Sequence, residues 1–216
     1  MNKSQMTRPE PVGNSLFTVS APSGAGKSSL IAALLKADPT IKLSISTTTR
    51  NPRPDEVDGR EYHFTTVDAF KASIDKGEFM EYAIVHGNYY GTSKAKVLEQ
   101  HDAGNDVMLE IDWQGALQIR EIYPETVSIF ILPPSIGELE KRLTKRGLDP
   151  IETIKYRIAG AALEISHASD FDYVIINNDF DLALRQLGAI IESARLRTRK
   201  QAAKNHALFA EFGITI

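Results

Sequence analysis

Ala21-Pro22-Ser23-Gly24-Ala25-Gly26-Lys27-Ser28 joins an apolar run at 16–19 to a stretch at 29–36 that carries Leu30, Ile31, Leu34 and Leu35 at helical spacing. A small-residue loop between a buried strand and a helix, closing on Gly-Lys-Ser, is the pattern of a phosphate-binding loop. Its chemistry follows from the residue types. Successive backbone N–H groups turn toward a polyphosphate, the helix N-terminus adds its positive end, Lys27 reaches the outer phosphates, and the Ser28 hydroxyl is a ligand for Mg²⁺. Ala21 stands where the common pattern has its first glycine. The stretch implies a bound nucleoside triphosphate, held by Ala21, Pro22, Ser23, Gly24, Ala25, Gly26, Lys27, Ser28 and Ser29.

With 216 residues and 42% hydrophobic content, the chain is long and apolar enough for one large domain, or a core with lobes. A net charge of −3 gives no global attraction to nucleic acid or to an anionic membrane, so phosphate must be met by local basic clusters. The absence of cysteine excludes disulfides, thiolate catalysis and Cys-based zinc sites, and suits a reducing cytoplasm. Residues 1–13 are polar, hold Pro9 and Pro11, and lack the apolar run of a signal peptide; they read as a disordered leader. The five histidines show no ligand spacing.

Strand patterns fall at 16–19, 43–46, 107–111, 127–132 and 173–176, and helix patterns at 27–37, 114–122, 136–145, 151–169 and 182–200. Most of the strands are continuously apolar, as expected of a parallel sheet covered on both faces. Between 47 and 91 this rhythm breaks into strand-like pieces at 62–65 and 79–85 with a helix at 67–76. The expected fold is α/β: a three-layer core with a parallel sheet (14–45, 104–135 and 159–200), an inserted mixed α/β lobe (46–103) and a mobile, basic helical lid (136–158). An apolar tail follows at 201–216, for which packing on the core and a subunit contact both fit.

Two further stretches carry chemistry. The strand 107–111 ends in acids, and beside a phosphate-binding loop such a strand brings a carboxylate toward Mg²⁺; Asp112 is favoured over Glu110. The segment 46–56 places Arg50 and Arg53 in a proline-stiffened loop, where guanidinium forks suit a second phosphate as well as they suit solvent. Tyr62, Tyr89 and Tyr90 offer phenolic donors nearby.

The order of Thr48-Thr49-Arg50-Asn51-Pro52-Arg53-Pro54, Gly59-Arg60-Glu61-Tyr62-His63-Phe64, Gly87-Asn88-Tyr89-Tyr90-Gly91-Thr92, Ile111-Asp112-Trp113-Gln114-Gly115 and Arg142-Leu143-Thr144-Lys145-Arg146-Gly147 behind the glycine loop resembles the bacterial guanylate kinases. The resemblance runs from about Leu16 to Arg197 and implies transfer of the γ-phosphoryl of ATP to GMP, with ATP as donor and Mg²⁺ as its metal. It implies that Arg50, Arg53, Tyr62 and Tyr90 hold the GMP phosphate and that Ser46, Glu81 and Thr92 read the guanine, with Glu56 and Asp112 completing the acceptor side. It assigns Lys27, Arg50 and the lid residues Arg142, Arg146 and Arg157 to the transferring phosphoryl, Asn177 to the adenine side, and Ser28 with Asp112 to the metal. The chemistry agrees: guanine offers N1–H and its 2-amino group as adjacent donors to a carboxylate such as Glu81. Asn178 and Glu110 both stand where an aspartate is common.

The partners implied are the small molecules GMP and ATP, without nucleic acid or membrane, and a homo-oligomer is compatible. Two other classes share features. Scaffold modules of similar fold bind proteins, but they have usually lost parts of the loop that is intact here. A kinase for another phosphorylated acceptor would keep the ATP side and lack a reason for Glu81 with Thr92.

Overall fold

A computed structural model describes residues 13–146 and 150–216, without the side chain of Arg146. The leader expected over 1–13 lies, except for Gly13, outside the described residues. β1 (Leu16–Ser20) runs into the glycine loop and α1 (Lys27–Ala37), followed by β2 (Ile41–Ser44). The insertion contains β3 (Thr47–Thr48), β4 (His63–Phe64), α2 (Val67–Asp75), β5 (Phe79–Val85), β6 (Asn88–Ser93) and α3 (Lys94–Asp102). The chain returns through β7 (Asp106–Glu110), α4 (Trp113–Ile122), β8 (Val127–Leu132), α5 (Ile136–Arg146) and α6 (Ile151–Ser166). A 3₁₀ turn at His167–Asp170 leads to β9 (Tyr173–Ile176), α7 (Phe180–Arg195), α8 (Thr198–Lys204) and α9 (His206–Glu211).

The core sheet has the order β2-β7-β1-β8-β9, and every neighbouring pair is parallel. Its central strands β1, β7 and β8 are buried on both faces because both faces are covered there, whereas the edge strands β2 and β9 are partly exposed. Phe17, Val19, Met108, Ile129 and Ile131 pack with Leu30 and Leu34 of α1 and Leu187 and Ile191 of α7. Leu16, Val107, Leu109 and Phe130 pack on the other side with Val97 of α3 and Ile119 of α4. This is the three-layer α/β arrangement that the continuous apolar runs predict. Because β7 and β8 flank β1, the loops after β1 and β7 leave the sheet side by side, where ligands bind in open α/β sheets.

The insertion forms a second, mixed sheet of order β4-β3-β6-β5. The side-chain amide of Gln118 on α4 ties it to the core, accepting from the Tyr82 N–H at 3.2 Å and donating to the Tyr82 carbonyl at 2.9 Å.

Several boundaries differ from the sequence expectation. β2 occupies 41–44 rather than 43–46, because its pairing register with β7 runs from Ile41 to Ser44; Ser46 lies beyond it, 8% exposed, at the entrance to the insertion. α3 had no counterpart in the helix patterns, since only Val97 and His101 are buried in a polar segment. The helix expected over 182–200 is two, broken at Leu196-Arg197. In the segment expected to be a mobile lid, Leu139 and Leu143 of α5 are 0% and 1% exposed and belong to the main core. Their i, i+4 spacing makes an apolar stripe that seats the helix on Gly24 of the loop. α6 runs unbroken across the lid–core border expected at 158.

Candidate functional site

At the end of β1 the Ser20 hydroxyl donates to the Ile111 carbonyl at 2.9 Å, joining the two loops that leave the sheet. The glycine loop then closes on itself through the Ala25 N–H and the Pro22 carbonyl, 3.1 Å apart. Gly26 has φ +96° and a Cβ there would lie 2.4 Å from Asn177 Nδ2, so both conformation and space require glycine at the start of α1. Asn177 is 5% exposed and its amide donates to the Ala25 carbonyl at 2.8 Å. Its side chain therefore braces the loop.

Arg142 extends that brace. Its Nη2 donates to the Asn177 carbonyl at 3.0 Å, its Nη1 reaches the Ala25 carbonyl at 3.4 Å, and Glu138 takes its Nε at 3.2 Å. Arg157 of α6 donates to the Ser23 hydroxyl at 3.2 Å. Arg146 ends α5, and its side chain lies outside the described residues. Lys27 Nζ rests 3.2 Å from the Ile111 carbonyl, between Glu110 and Asp112 in sequence.

The two acids after β7 are engaged differently, and the one that bonds Ser28 is Glu110. Ser28 Oγ donates to Glu110 Oε1 at 2.5 Å. Asp112 instead caps α4, accepting from the Gly115 N–H at 3.0 Å with one oxygen and from the Gln114 amide at 2.9 Å with the other. Strand geometry explains the difference. Glu110 pairs with Val19 on β1 at the rim of the sheet, beside the start of α1, whereas Asp112 has already left the strand.

Across the cleft the insertion presents the second group. Glu56 accepts from Arg50 Nη2 at 2.8 Å with each of its oxygens, and from the Arg53 N–H at 2.8 Å. Burial raises its pKa, yet these donors win and hold the carboxyl below its usual range. Arg50 also lies 5.4 Å from the centre of the Tyr62 ring, which meets Tyr90 edge-on at 5.8 Å. Burial, with Glu110 and Tyr90 close by, pushes the Tyr62 phenol up, so it remains a proton donor. With Arg53 Nη1 also 3.5 Å from its Oε1, Glu56 holds both guanidiniums in place for an anion without itself lining the cleft.

Glu81 sits deeper, 4% exposed, and accepts from Thr92 Oγ1 at 2.5 Å. Burial raises its carboxyl to about 7, Asp112 adds to the rise, and the Thr92 hydroxyl opposes it. Gly115 makes room for it: a Cβ there would lie 2.3 Å from Glu81 Oε2. A single cleft of about 1220 Å³ is lined by Ser23, Gly26, Lys27, Ser28, Arg142 and Arg157 on one wall and by Ser46, Arg50, Arg53, Tyr62, Glu81 and Tyr90 on the other. Between them stand Glu110 and Asp112. Glu56, Thr92 and Asn177 stand behind these walls and orient the groups that form them.

Among the cleft residues with no place in the sequence expectation are Glu164 and His86. Glu164 belongs to α6, and burial pushes its carboxyl up against the opposing pull of the Ser23 amide, Lys27 and Arg157. It lies seven residues after Arg157, hence on the same helix face, a spacing legible in the helix expected over 151–169. His86, at the turn between β5 and β6, carried no signal beyond its glycine neighbour.

A cleft with a triphosphate-type loop facing a two-arginine loop and a buried carboxylate suits phosphoryl transfer between two nucleotides. The family model described as guanylate kinase matches residues 14–194. The guanylate kinase of Vibrio parahaemolyticus is 58% identical over 191 residues, 88% of this chain and 92% of that protein. That of Thiobacillus denitrificans is 54% identical over 197 residues, 91% and 94% of the two chains. The crystal structure of guanylate kinase from Anaplasma phagocytophilum superposes with a TM-score of 0.76 at 33% identity, covering 94% of this chain and 98% of that one. Family model, relatives and architecture agree with the two-walled cleft, and the chain belongs to the guanylate kinase family.

Proposed function

We infer that the protein transfers the γ-phosphoryl group of ATP to GMP, giving ADP and GDP, and accepts dGMP by the same contacts. The observation that carries this reading is the opposition, in one cleft, of Lys27, Arg142 and Arg157 to Arg50, Arg53 and the buried Glu81. ATP phosphates belong on the N–H groups of the glycine loop and α1, with Lys27 exchanging the Ile111 carbonyl for phosphate oxygens. The GMP phosphate belongs between Arg50, Arg53, Tyr62 and Tyr90. Guanine then reaches Glu81, whose carboxylate accepts from N1–H and the 2-amino group, while Thr92 and Ser46 supply hydroxyls.

No general base is required. An anionic oxygen of GMP attacks the γ-phosphorus, the bond to the β–γ bridging oxygen breaks, and ADP leaves with the electron pair. Catalysis lies in alignment and in the cations around the equatorial oxygens. Ser28 Oγ and Glu110 Oε1 form an oxygen pair suited to Mg²⁺, and no group of three or more His, Cys, Asp or Glu is arranged for a metal among the described residues. That donor set fits a metal that depends on substrate phosphates and water for its remaining ligands. When bound, Mg²⁺ neutralises charge on the outer phosphates.

No helix among the described residues is long and apolar enough to cross a membrane, and the proposed setting is the cytoplasm, where ATP and GMP meet. An ADP-release assay across GMP, dGMP, AMP, CMP, UMP and a ribose bisphosphate tests the reading. Turnover is expected with GMP and dGMP; failure with GMP, or equal rates with AMP, refutes it.

A further inference from the structure

His86 is the one non-glycine residue with positive φ among the described residues. With φ +49° it precedes Gly87 at +80°, and the two connect Val85 and Asn88, the last pair of the β5–β6 ladder. A two-residue turn with both φ positive is the type I′ hairpin, for which Asn-Gly is the favoured sequence. Histidine is tolerated there, with less preference than asparagine, and its ring makes contacts outside the turn.

The ring points across the cleft. It meets the Tyr156 ring of α6 edge-on, with centroids 5.8 Å apart at 69°, and its Nε2 lies 3.9 Å from Glu164 Oε1, about two turns further along α6. Tyr156 is 64% exposed, which is far from a core position. Between these two contacts α6 also presents Arg157, which bonds Ser23 of the glycine loop. The tip of the insertion therefore reaches the helix that holds the phosphate-binding loop.

We propose that His86 is a positioning residue, docking the tip of the GMP-binding lobe on Tyr156 and Glu164 so that acceptor and donor nucleotides are held in one register. Although His86 lines the cleft, its effect in this proposal passes through α6 and Arg157 to Ser23. This inference rests on the donor and acceptor assignments above.

The test replaces His86 with Asn, which keeps or strengthens the turn while removing the ring. The expected result is a Tm at or above that of the unaltered protein and a KM for ATP within about twofold. The kcat/KM for GMP falls about five- to tenfold, the scale of one aromatic pair. A purely structural role would instead move Tm and rate together. Glu164→Gln and Tyr156→Ala lower kcat/KM as well, whereas Tyr156→Phe preserves it. The His86→Asn/Glu164→Gln double variant falls no further than the worse single variant, because both act through one contact. Unaltered kcat/KM for GMP in His86→Asn, or fully multiplicative losses in the double variant, overturns the proposal. Turnover of GMP by the unaltered protein and the KM for ATP of Arg157→Ala report on the underlying assignments separately.

Discussion

At the scale of single residues the cleft is a set of charges held where water alone would not leave them. Lys27 has no role in the core, so Lys27→Ala is expected to fold and bind GMP normally while turnover falls by roughly two or more orders of magnitude; circular dichroism, GMP titration and steady-state rates check this. Arg50→Ala removes one charge-assisted partner of the acceptor phosphate, worth about 1.5–3 kcal/mol, and should raise KM for GMP about ten- to a hundredfold with KM for ATP nearly unchanged. Glu81 couples the site to pH. Its carboxyl rises from 4.5 to about 7 on folding, so the folded protein holds a proton that the unfolded chain releases. The Glu81 contribution to stability is therefore greatest below about pH 4.5 and declines through pH 7, by about 3 kcal/mol in total for the nucleotide-free protein, while carboxyls held low, such as Glu56, act in the opposite direction at acid pH. Guanine needs the ionised form, so kcat/KM for GMP should climb over the same window. Glu81→Gln should flatten that climb, lower kcat/KM for GMP by at least about tenfold, and raise Tm relative to the unaltered protein at pH 8, since a buried charge is removed. Melting curves and rates from pH 5 to 8 measure both. The reading of the acids shows where sequence stops: Asp112-x-x-Gly115 before a helical run is also an N-cap signal, and the cap is what the structure forms with it.

At the scale of elements, what a helix or loop does depends on what it is packed against. The lysine- and arginine-rich composition of 139–157 suits a mobile helical lid, yet within it Leu139 and Leu143 of α5 bury completely in the main core. α7 offers a second case. Arg195 at its end bonds Asp106 of β7 and Asp38 after α1, each at 2.7 Å, with Glu192 at 2.7 Å and Thr40 at 2.9 Å. These carboxylates hold the guanidinium pKa up despite its burial. Asp106, whose side chain is 6% exposed, would be left without this cation in Arg195→Ala. The expected cost is about 2–4 kcal/mol of stability, less than for a fully enclosed pair because Arg195 and Asp38 are partly solvated. Kinetic constants should not change, since Asp106 opens β7 while the site lies beyond its other end. Denaturant titration together with an activity assay distinguishes this from a role in catalysis.

For the whole molecule, the C-terminal helices are the least committed part. α8 is tied to the start of the core by Lys200, which donates to the Asn14 carbonyl, whereas α9 and the end of the chain leave Leu208, Phe212, Ile214 and Ile216 between 46% and 65% exposed. Deleting 206–216 is therefore expected to leave kcat/KM for GMP unchanged and Tm within a few degrees, as checked by kinetics and calorimetry. The layers of the fold were legible in the chain because continuous apolar strands alternating with amphipathic helices have few ways to bury both faces. The glycine loop was legible because its backbone geometry admits few residue types. Ser46, Arg50, Tyr62, Glu81 and Tyr90 could be named from ordered motifs, and they do share one wall of the cleft. Tertiary structure decided that Glu110 faces Ser28, that Asn177 supports the loop, and that His86 meets α6. Each of these depends on distance between segments far apart in the chain. Local sequence encodes conformation and polarity, but only packing determines which polar groups finally meet.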